Sequence, residues 1–399
     1  MNKLEELIKE FCPNGVEYVK IGHICKSLPK GTLKTSELVE GGMYPVINAG
    51  KDLYGYYSQY NNNGDAFTLS SRGEYAGSVN YFENKFWAGG LCYPYTSSNP
   101  EICLTKFIYY YLKNIEKYIR YTMVAEGSIP ALNKKDLQEL QIPLPALPVQ
   151  REIVRILDSF TLYSAELTAE LTARRKQYEF YRDKLLTFEK TEVEQMPLGK
   201  LAKFTYGYTD VAKDVGDARF IRITDINEDG CLASGNCKYI TLNDESKKYL
   251  LKEGDLLLAR TGATYGKTLY FPNNEPAVYA SFLIKIDLDN SVILNRYYWH
   301  FSKSNLYWKQ ADKYVSKAGQ QQFNTNAVSR VIVPVPPIEV QERIVKVLDN
   351  FDEICSNLKI GLPAEMEKRQ QQYEYYRDKL LEFNVNINKD INITGGGSR

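Results

Sequence analysis

The segment KQYEFYRDKLL at residues 176–186 is repeated as QQYEYYRDKLL at residues 371–381, with nine of eleven positions identical. Upstream of each copy, VQREIVRILDSF at 149–160 is matched at seven of twelve positions by VQERIVKVLDNF at 340–351. The second copy carries four additional residues between its two blocks. A repeat of this length within 399 residues indicates that the chain consists of two tandem halves.

The repeat extends more weakly into the rest of each half. ALNKKDLQELQIPLP at 131–145 resembles QFNTNAVSRVIVPVP at 322–336, and RGEYAGSVNYF at 72–82 resembles RTGATYGKTLYF at 260–271. Each half therefore has a variable globular part followed by a well-matched segment.

The well-matched segment has the spacing of a long amphipathic helix. Its apolar and aromatic residues recur mostly at steps of three and four, which is the seam of a coiled coil. Pro148 suits the first turn of the first copy. In the second copy, Gly361 and Pro363 interrupt the seam and predict a kink or a new helix start. Because one such helix cannot bury its apolar stripe alone, we expect the two copies to pack together as a coiled coil with pseudo-twofold symmetry.

The globular part of each half has the pattern of an α+β fold. Short β-prone runs such as LLLAR at 256–260 and RFIRITDI at 219–226 are separated by turn residues. One helix is predicted in each half, at 104–115 and at 294–304. We therefore predict the α+β class, with a curved sheet in each globular part.

Composition limits the classes of function. The 44% hydrophobic and 25% charged residues are typical of a soluble globular protein. A net charge of +1 does not favour a polyanionic partner, although acidic faces can balance a basic cleft. Two histidines, His23 and His300, and seven cysteines without a CxxC pair disfavour a zinc site, a histidine relay and a disulfide framework. With no signal peptide or spanning apolar run, we expect a cytoplasmic protein.

These features together resemble the Type I restriction-modification specificity subunit, the HsdS family. In that family a proline pair, a glutamine and an Ile/Leu pattern mark the start of each helical segment. The matching residues are Pro145, Pro148, Gln150, Ile153 and Leu157 in the first half, and Pro336, Pro337, Gln341, Ile344 and Leu348 in the second. LKEGDLLLARTGATYGK at 251–267 is similar to a strand and turn of the family, and the resemblance covers nearly the whole chain.

The resemblance implies a domain order and a task for each domain. The expected order is target-recognition domain 1 at 1–147, helical spacer 1 at 148–190, target-recognition domain 2 at 191–336, helical spacer 2 at 337–386 and a tail at 387–399. Each recognition domain would read one half of an asymmetric, interrupted double-stranded DNA sequence, and the helices would set the spacing. A tandem repeat suits this task because its halves can diverge and still bind as a linked pair.

The resemblance also implies partner subunits that carry the chemistry. Two modification subunits would dock on the helical region and methylate adenine with S-adenosylmethionine. Two restriction subunits would join them to cleave DNA with ATP and magnesium. This chain would hold no catalytic residue, metal or cofactor of its own, and no membrane partner is expected.

Basic and polar residues in turns between strands are the candidates for DNA contact, because a rigid scaffold presents them. The first group lies at the glycine turn of each half and comprises Arg72 and Tyr75, aligned with Arg260 and Tyr265, together with Thr261 and Lys267. An arginine at such a turn can read guanine or hold a phosphate. The alternative is an arginine paired with a local carboxylate.

Two further groups are candidates for DNA contact. The glutamines Gln320, Gln321 and Gln322 can read adenine through its N6 and N7 atoms, or they form a solvated loop. A basic and aromatic cluster suits phosphate contact, or consists of solvated lysines beside packed tyrosines. Its members are Lys30, Lys34, Lys51, Tyr54, Tyr56 and Tyr57.

The helical segments are the candidates for partner contact, because a surface that binds two identical partners must stay alike in both copies. The residues are Gln150, Tyr178, Tyr181 and Arg182 in the first copy, and Gln341, Tyr373, Tyr376 and Arg377 in the second. The alternative is that these segments pack against each other, and both can hold together.

Three other functions are alternatives for a chain with these features. A specificity protein of a stand-alone or Type II-like methyltransferase belongs to the same class, and sequence does not separate it. A self-contained methyltransferase would need a glycine-rich cofactor loop and an adenine-pocket motif, and we find neither. GATYGKT at 262–268 has one residue too few between its glycines for a P-loop, so nucleotide binding is not expected. A coiled-coil scaffold that binds no DNA is the remaining alternative.

Overall fold

The computed structural model describes residues 2–189, 192–227, 229–233, 235–272, 275–316, 321–356 and 361–383. The chain divides into two compact units. Among the described residues, the first combines those up to Ala165 with those from Lys368 to Phe383, and the second runs from Glu166 to Glu367. Two segments that are far apart in the sequence therefore contribute to the first unit.

The first unit contains short strands and helices followed by the start of one long helix. Its strands are β1 (Glu17–Lys20), β2 (Cys25–Ser27), β3 (Tyr44–Ile47), β4 (Gly55–Tyr57), β5 (Ala66–Ser70), β6 (Val79–Phe82), β7 (Trp87–Ala88), β8 (Cys92–Ser97), β9 (Val124–Ala125), β10 (Ala131–Leu132) and β11 (Gln141–Leu144). Its helices are α1 (Asn2–Phe11), α2 (Ile21–Ile24), α3 (Thr105–Asn114), α4 (Glu116–Tyr118), α5 (Lys134–Glu139) and α6 (Leu147–Leu185), with a 3-10 turn at Thr35–Glu37 and a π-helical turn at Ile119–Met123. Helix α6 begins in the first unit and ends in the second.

The second unit repeats most of this order, although its described elements include no counterpart of α1, β9 or β10. Its strands are β12 (Glu194–Pro197), β13 (Ala202–Tyr206), β14 (Ala218–Ile221), β15 (Tyr239–Ile240), β16 (Leu256–Ala259), β17 (Thr268–Tyr270), β18 (Ala277–Tyr279), β19 (Leu283–Leu288) and β20 (Ile332–Val335). Its helices are α7 (Leu198–Leu201), α8 (Asn295–Phe301), α9 (Asn305–Tyr314), α10 (Thr325–Val328), α11 (Ile338–Ser356) and α12 (Leu362–Leu381), with 3-10 turns at Ile223–Asp225, Ser246–Tyr249 and Gly262–Thr264. Helix α12 begins in this unit and ends in the first.

The sheets of the two units correspond strand by strand. The larger sheet has the order β2-β8-β5-β6 in the first unit and β13-β19-β16-β17 in the second, and all its pairs are antiparallel. A smaller sheet, β4-β3-β7 or β15-β14-β18, has one antiparallel and one parallel pair. Strands β5 and β16 are buried along their whole length, as central strands covered on both faces require. The α+β class is confirmed.

Each unit buries the end of the helix that follows the other unit's globular part. In the first unit, Leu380 and Leu381 of α12 lie in one core with Phe107 of α3 and with Ile153 and Leu157 of α6. In the second unit, Leu186 at the end of the first repeat segment takes the same place. It lies in one core with Tyr298 of α8 and with Ile344 and Leu348 of α11.

The two helical segments pack on each other within each unit, as predicted. In the first unit, the ring of Phe160 stacks on that of Tyr376, with centroids 5.6 Å apart. In the second unit, Tyr181 stacks on Phe351 at the same separation. The predicted new helix start is also present, because α11 ends at Ser356 and α12 begins at Leu362 with Pro363 in its first turn.

Candidate nucleic-acid interface

A turn with two glycines follows the central strand of each unit. Gly73 and Gly77 follow β5 with φ values of 91° and 89°, and Gly262 and Gly266 follow β16 with φ values of 70° and 80°. Positive φ favours glycine because it has no Cβ atom to clash with the backbone. The glycine spacing therefore fixes the path of the chain in both turns.

The same backbone hydrogen bond holds each turn against a later loop. The N–H of Gly73 donates to the carbonyl of Pro130 over 2.9 Å, and the N–H of Gly262 donates to that of Gln321 over 3.2 Å. The structure thus places the glycine turn of the second unit beside Gln321, one of the glutamines predicted to contact DNA. Two groups of candidate residues therefore lie next to each other.

These bonds correct the alignment of the two turns by one position. Because Gly73 is equivalent to Gly262, Arg72 is equivalent to Thr261 and Arg260 to Ser71. The expected pairing of Arg72 with Arg260 is wrong, since the backbone follows the glycines that adopt positive φ and not the arginines. The two halves therefore place their arginines at different points of one scaffold.

Tyr265 likewise has a different counterpart from the one expected, because it occupies the position of Ala76 and not that of Tyr75. Its hydroxyl donates to Asp312 over 2.7 Å, and its ring packs edge-on against Trp308. Burial, with the bond to Asp312, raises the pKa of Tyr265 to about 12. Tyr265 is thus bound into its own unit, while 38% of Tyr75 is exposed.

In the first unit, Arg72 lies on an open groove of about 710 Å³ whose walls include Tyr93, Lys134 and Lys135. Lys30 borders the same groove, because its Nζ atom lies 5.2 Å from the centroid of the Tyr93 ring. All four cations are exposed to solvent. This basic groove, defined by these five residues, suits a run of phosphates. The sequence-based candidates did not include its two adjacent lysines.

Lys34, Lys51 and Tyr54 of the basic and aromatic cluster lie on nearby loops of the first unit. Tyr54 shares a hydrogen bond of 2.6 Å with the hydroxyl of Thr35, which follows Lys34. The carbonyl that precedes Lys51 accepts a bond of 3.1 Å from Ser70, at the end of β5. The loop of Lys51 therefore adjoins the strand that leads into the glycine turn.

In the second unit, Arg260 is held between two aromatic rings. Its guanidinium carbon lies 5.2 Å from the ring centroid of Tyr206 and 5.5 Å from that of Phe282. Its Nε atom donates to the carbonyl of Ser281 over 3.1 Å. No carboxylate in the described part of the chain forms an ion pair with Arg260. The structure therefore does not show the alternative for Arg260, in which the arginine pairs with a local carboxylate.

The remaining candidates of the second unit have different surroundings. Gln321 and Gln322 are exposed, and Gln320 lies outside the described residues. Only 2% of Thr261 is exposed, so the expected DNA contact by its side chain is contradicted. Lys267 lines a cavity of about 170 Å³ that also includes residues of α6 and α11.

Gln150 and Gln341 are fully buried at the starts of α6 and α11. Gln150 accepts a bond from the N–H of Leu104 over 2.9 Å and donates to the carbonyls of Ile102 and Pro145 over 2.9 and 2.7 Å. Gln341 makes the equivalent bonds with Leu294, Val292 and Pro336. The expected partner contact is contradicted for both glutamines, because each amide is used to hold a helix to its own unit.

Tyr178 and Arg182 are also buried, with 7% and 8% exposed, which contradicts their expected partner contact. The hydroxyl of Tyr178 lies 3.1 Å from Nδ1 of His300, and the Nε2 atom of that histidine lies 2.8 Å from Asp349. Burial lowers the pKa of His300 to about 4, although the bond to Asp349 opposes this shift. A neutral imidazole that accepts from Tyr178 and donates to Asp349 satisfies all three groups.

The corresponding residues of the second copy are half-buried in the first unit. Tyr373 and Tyr376 lie against Phe160, and Arg377 donates to the side chain of Asn114. The contacts of these residues are therefore intramolecular, as the alternative of mutual packing predicted. Tyr181, with 37% exposed, keeps part of its surface free.

The outward faces of the helix ends carry an aromatic residue that sequence reasoning missed. Phe180 and Tyr375 occupy the same position of the repeat, and 60% and 61% of their surfaces are exposed. A lysine lies near each ring, Lys184 at 5.9 Å and Lys379 at 6.0 Å from the centroid. We call these two pairs the helix-end patches. The signal is present in the repeat, one residue before Tyr181 and Tyr376.

Two classes of site are not found within the described ranges. No helix there is both long enough and apolar enough to cross a membrane. No group of three or more histidine, cysteine, aspartate or glutamate side chains is placed to hold a metal ion.

Comparison with known proteins agrees with the tandem architecture. The family model of the Type I restriction modification DNA specificity domain matches residues 13–174 and again residues 190–368. A putative Type I restriction enzyme specificity subunit of Haemophilus influenzae is 31% identical over 367 residues, which cover 87% of this chain and 90% of that protein. The specificity subunit of an Escherichia coli Type I restriction enzyme is 32% identical over 322 residues, covering 72% and 73%.

A solved structure shares the fold. The crystal structure of the Type I restriction-modification S subunit from M. genitalium has a TM-score of 0.60 at 16% identity, covering 92% of this chain and 95% of that one. The two matches to the family model, together with the relatives above, show that this chain belongs to the Type I restriction-modification DNA specificity family, whose members are specificity subunits without a catalytic centre.

Proposed function

We propose that this chain reads a bipartite, asymmetric sequence in double-stranded DNA, one half-site with each unit, and directs adenine methylation to it. The observation that carries the proposal is the pair of glycine turns. Their backbone bonds are equivalent, but their side chains differ, with Ser71 and Arg72 in the first unit where the second has Arg260 and Thr261. One scaffold with two sets of side chains suits the reading of two different half-sites.

The distribution of charge supports DNA as the ligand despite the net charge of +1. The basic groove gathers four exposed cations on one side of the first unit, beside the glycine turn. A local cluster of this kind binds phosphates even in a neutral chain, because acidic residues elsewhere balance the sum. Phosphate contacts would fix the position of the unit on the duplex, and the turns would read base edges.

The partner subunits would supply the chemistry. We propose that two copies of a modification subunit dock on the two helix-end patches, because the same exposed aromatic and lysine recur in both copies of the repeat. The modification subunits would hold S-adenosylmethionine, and restriction subunits would use ATP and magnesium to cleave DNA. In this proposal the chain holds none of these groups and works in the cytoplasm.

Mapping of N6-methyladenine by single-molecule sequencing tests the proposal. Cells that express this chain with its modification subunit are expected to methylate one bipartite motif with an unspecified gap, on both strands. The same cells without this chain should lack the motif. If the two proteins co-purify and no motif appears, the proposal fails, and a scaffold that binds no DNA becomes the better explanation.

A further inference from the structure

We infer that Arg260 reads a guanine base in the half-site of the second unit, through a two-pronged contact with guanine O6 and N7. This inference rests on the proposed function and adds the base, the contacting side chain and the half-site. The alternative for an arginine at a DNA surface is contact with a phosphate, which would carry no sequence information.

The first argument is the fixed orientation of the guanidinium. Its carbon lies 5.2 and 5.5 Å from the ring centroids of Tyr206 and Phe282, and its Nε atom donates to the carbonyl of Ser281. The two terminal nitrogens of Arg260 are then the donors that a ligand can use, and their spacing matches the two acceptors of guanine. Because the side chain is already ordered, less entropy is lost on binding.

The second argument is the surface around the arginine. Phe282 is 51% exposed and Tyr206 is 40% exposed, so two partly exposed rings flank Arg260. Phosphate contact is favoured by exposed cations, such as the four of the basic groove. A restrained arginine between rings suits a base edge, where the flat shape and the direction of the donors both matter.

The third argument is the difference between the halves. The N–H of Arg260 donates to the carbonyl of Phe282 over 3.1 Å, and the N–H of Ser71 donates to that of Leu91 over 2.8 Å. The first unit therefore has serine and leucine where the second has arginine and phenylalanine. This guanine contact should exist in one half-site and have no counterpart in the other.

The test compares methylation motifs made by the assembled complex of this chain with its modification subunit. For Arg260→Gln, we expect the requirement for one guanine in one half-site to relax by about tenfold or more, while all other positions stay as in the wild-type motif. Arg260→Lys should also relax it, because lysine keeps the charge but lacks the planar fork. Arg330→Gln is the matched control, because Arg330 is also an arginine beside a ring of the second unit, 4.5 Å from the centroid of Tyr314, and it should leave that guanine requirement unchanged.

Two results would overturn the inference while the proposed function stands. One is that Arg260→Gln still methylates the wild-type bipartite motif and retains every base preference. The other is an equal loss of methylation at all sequences with a weaker salt dependence, restored by Arg260→Lys, which is the behaviour of a phosphate contact. If the wild-type chain itself gives no motif, the proposed function fails first. Phe282→Leu removes an exposed ring beside Arg260 and provides a second test. It should relax the requirement for the same guanine.

Discussion

Arg377 donates a hydrogen bond from Nε to Oδ1 of Asn114 over 2.8 Å, although 263 residues separate them in the chain. Asn114 ends α3 in the globular part of the first unit, and Arg377 lies on α12, which follows the globular part of the second. The part of α12 from Lys368 onwards is thus a component of the first unit. The stability of that unit should depend on residues at the far end of the sequence.

Shortening the buried leucine at either helix end should destabilise the unit that buries it. Leu381 is 3% exposed in the core of the first unit, and Leu186 is fully buried in the core of the second. Leu381→Ala should cost about 3 kcal/mol in the first unit, because it removes apolar contacts and leaves a cavity. Hydrogen-deuterium exchange should rise in β5 for this variant.

Leu186→Ala is the matched control for that experiment. It should raise exchange in β16 of the second unit and leave β5 unchanged. The assignment of the helix ends would be wrong if Leu381→Ala raised exchange in β16 instead. The assignment would also be wrong if each variant raised exchange in the globular part that precedes it in the sequence.

Removal of the Gln150 amide should destabilise the first unit. Gln150→Ala leaves the N–H of Leu104 and the carbonyls of Ile102 and Pro145 without this partner, at a cost of about 3 kcal/mol. Gln341→Ala should have a similar effect on the second unit. Urea unfolding measures the change, and Gln372→Ala, at an exposed position of α12, should stay within about 0.5 kcal/mol of wild type. A wild-type midpoint for Gln150→Ala would count against the structural role.

The second unit should lose stability as the pH falls below neutrality. Burial lowers the pKa of His300 to about 4, compared with about 6.5 in an unfolded chain. The unfolded state therefore binds the proton first, and stability is complete above about pH 6.5 and declines down to about pH 4. The total loss is about 3 kcal/mol, of which about 2 kcal/mol is lost by pH 5.

His300→Gln separates this effect from the titration of carboxylates, which both proteins share. Glutamine can still donate to Asp349 and accept from Tyr178 but takes up no proton. Urea unfolding at pH 7.5 and pH 5.0 should show a smaller decrease for the variant than for the wild type. Equal decreases would show that His300 does not titrate in this way.

The helix-end patches give a prediction about partner number, on the basis of the proposed function. Phe180→Ala and Tyr375→Ala should each remove one of two bound modification subunits, and the double variant should remove both. Native mass spectrometry of the complex counts them. Because both side chains are largely exposed, the fold should be kept. Tyr121→Ala, which alters an aromatic residue 80% exposed outside the repeat, should keep both partners. Two bound partners in the double variant would exclude these patches.

Sequence patterns predicted the elements well where burial repeats along the chain. LLLAR at 256–260 contains β16, and the predicted helix at 104–115 contains α3, because an apolar run and a helical period are both local signals. The patterns gave wrong predictions where the same residue type can serve either a partner surface or a bond within the chain. Gln150 recurs as Gln341 and suggested a partner surface, but both units use this glutamine for the same internal bonds.

The tandem repeat, the α+β class, the family and the break before Leu362 follow from spacing and identity along the chain alone. Folding in three dimensions was needed to show which unit buries each helix end, which faces of the repeat stay exposed, and that Arg260 is equivalent to Ser71 and not to Arg72. These features depend on burial and hydrogen bonding between distant segments, and therefore on how elements meet in space. A repeat shows that two segments are alike but does not show what either one touches.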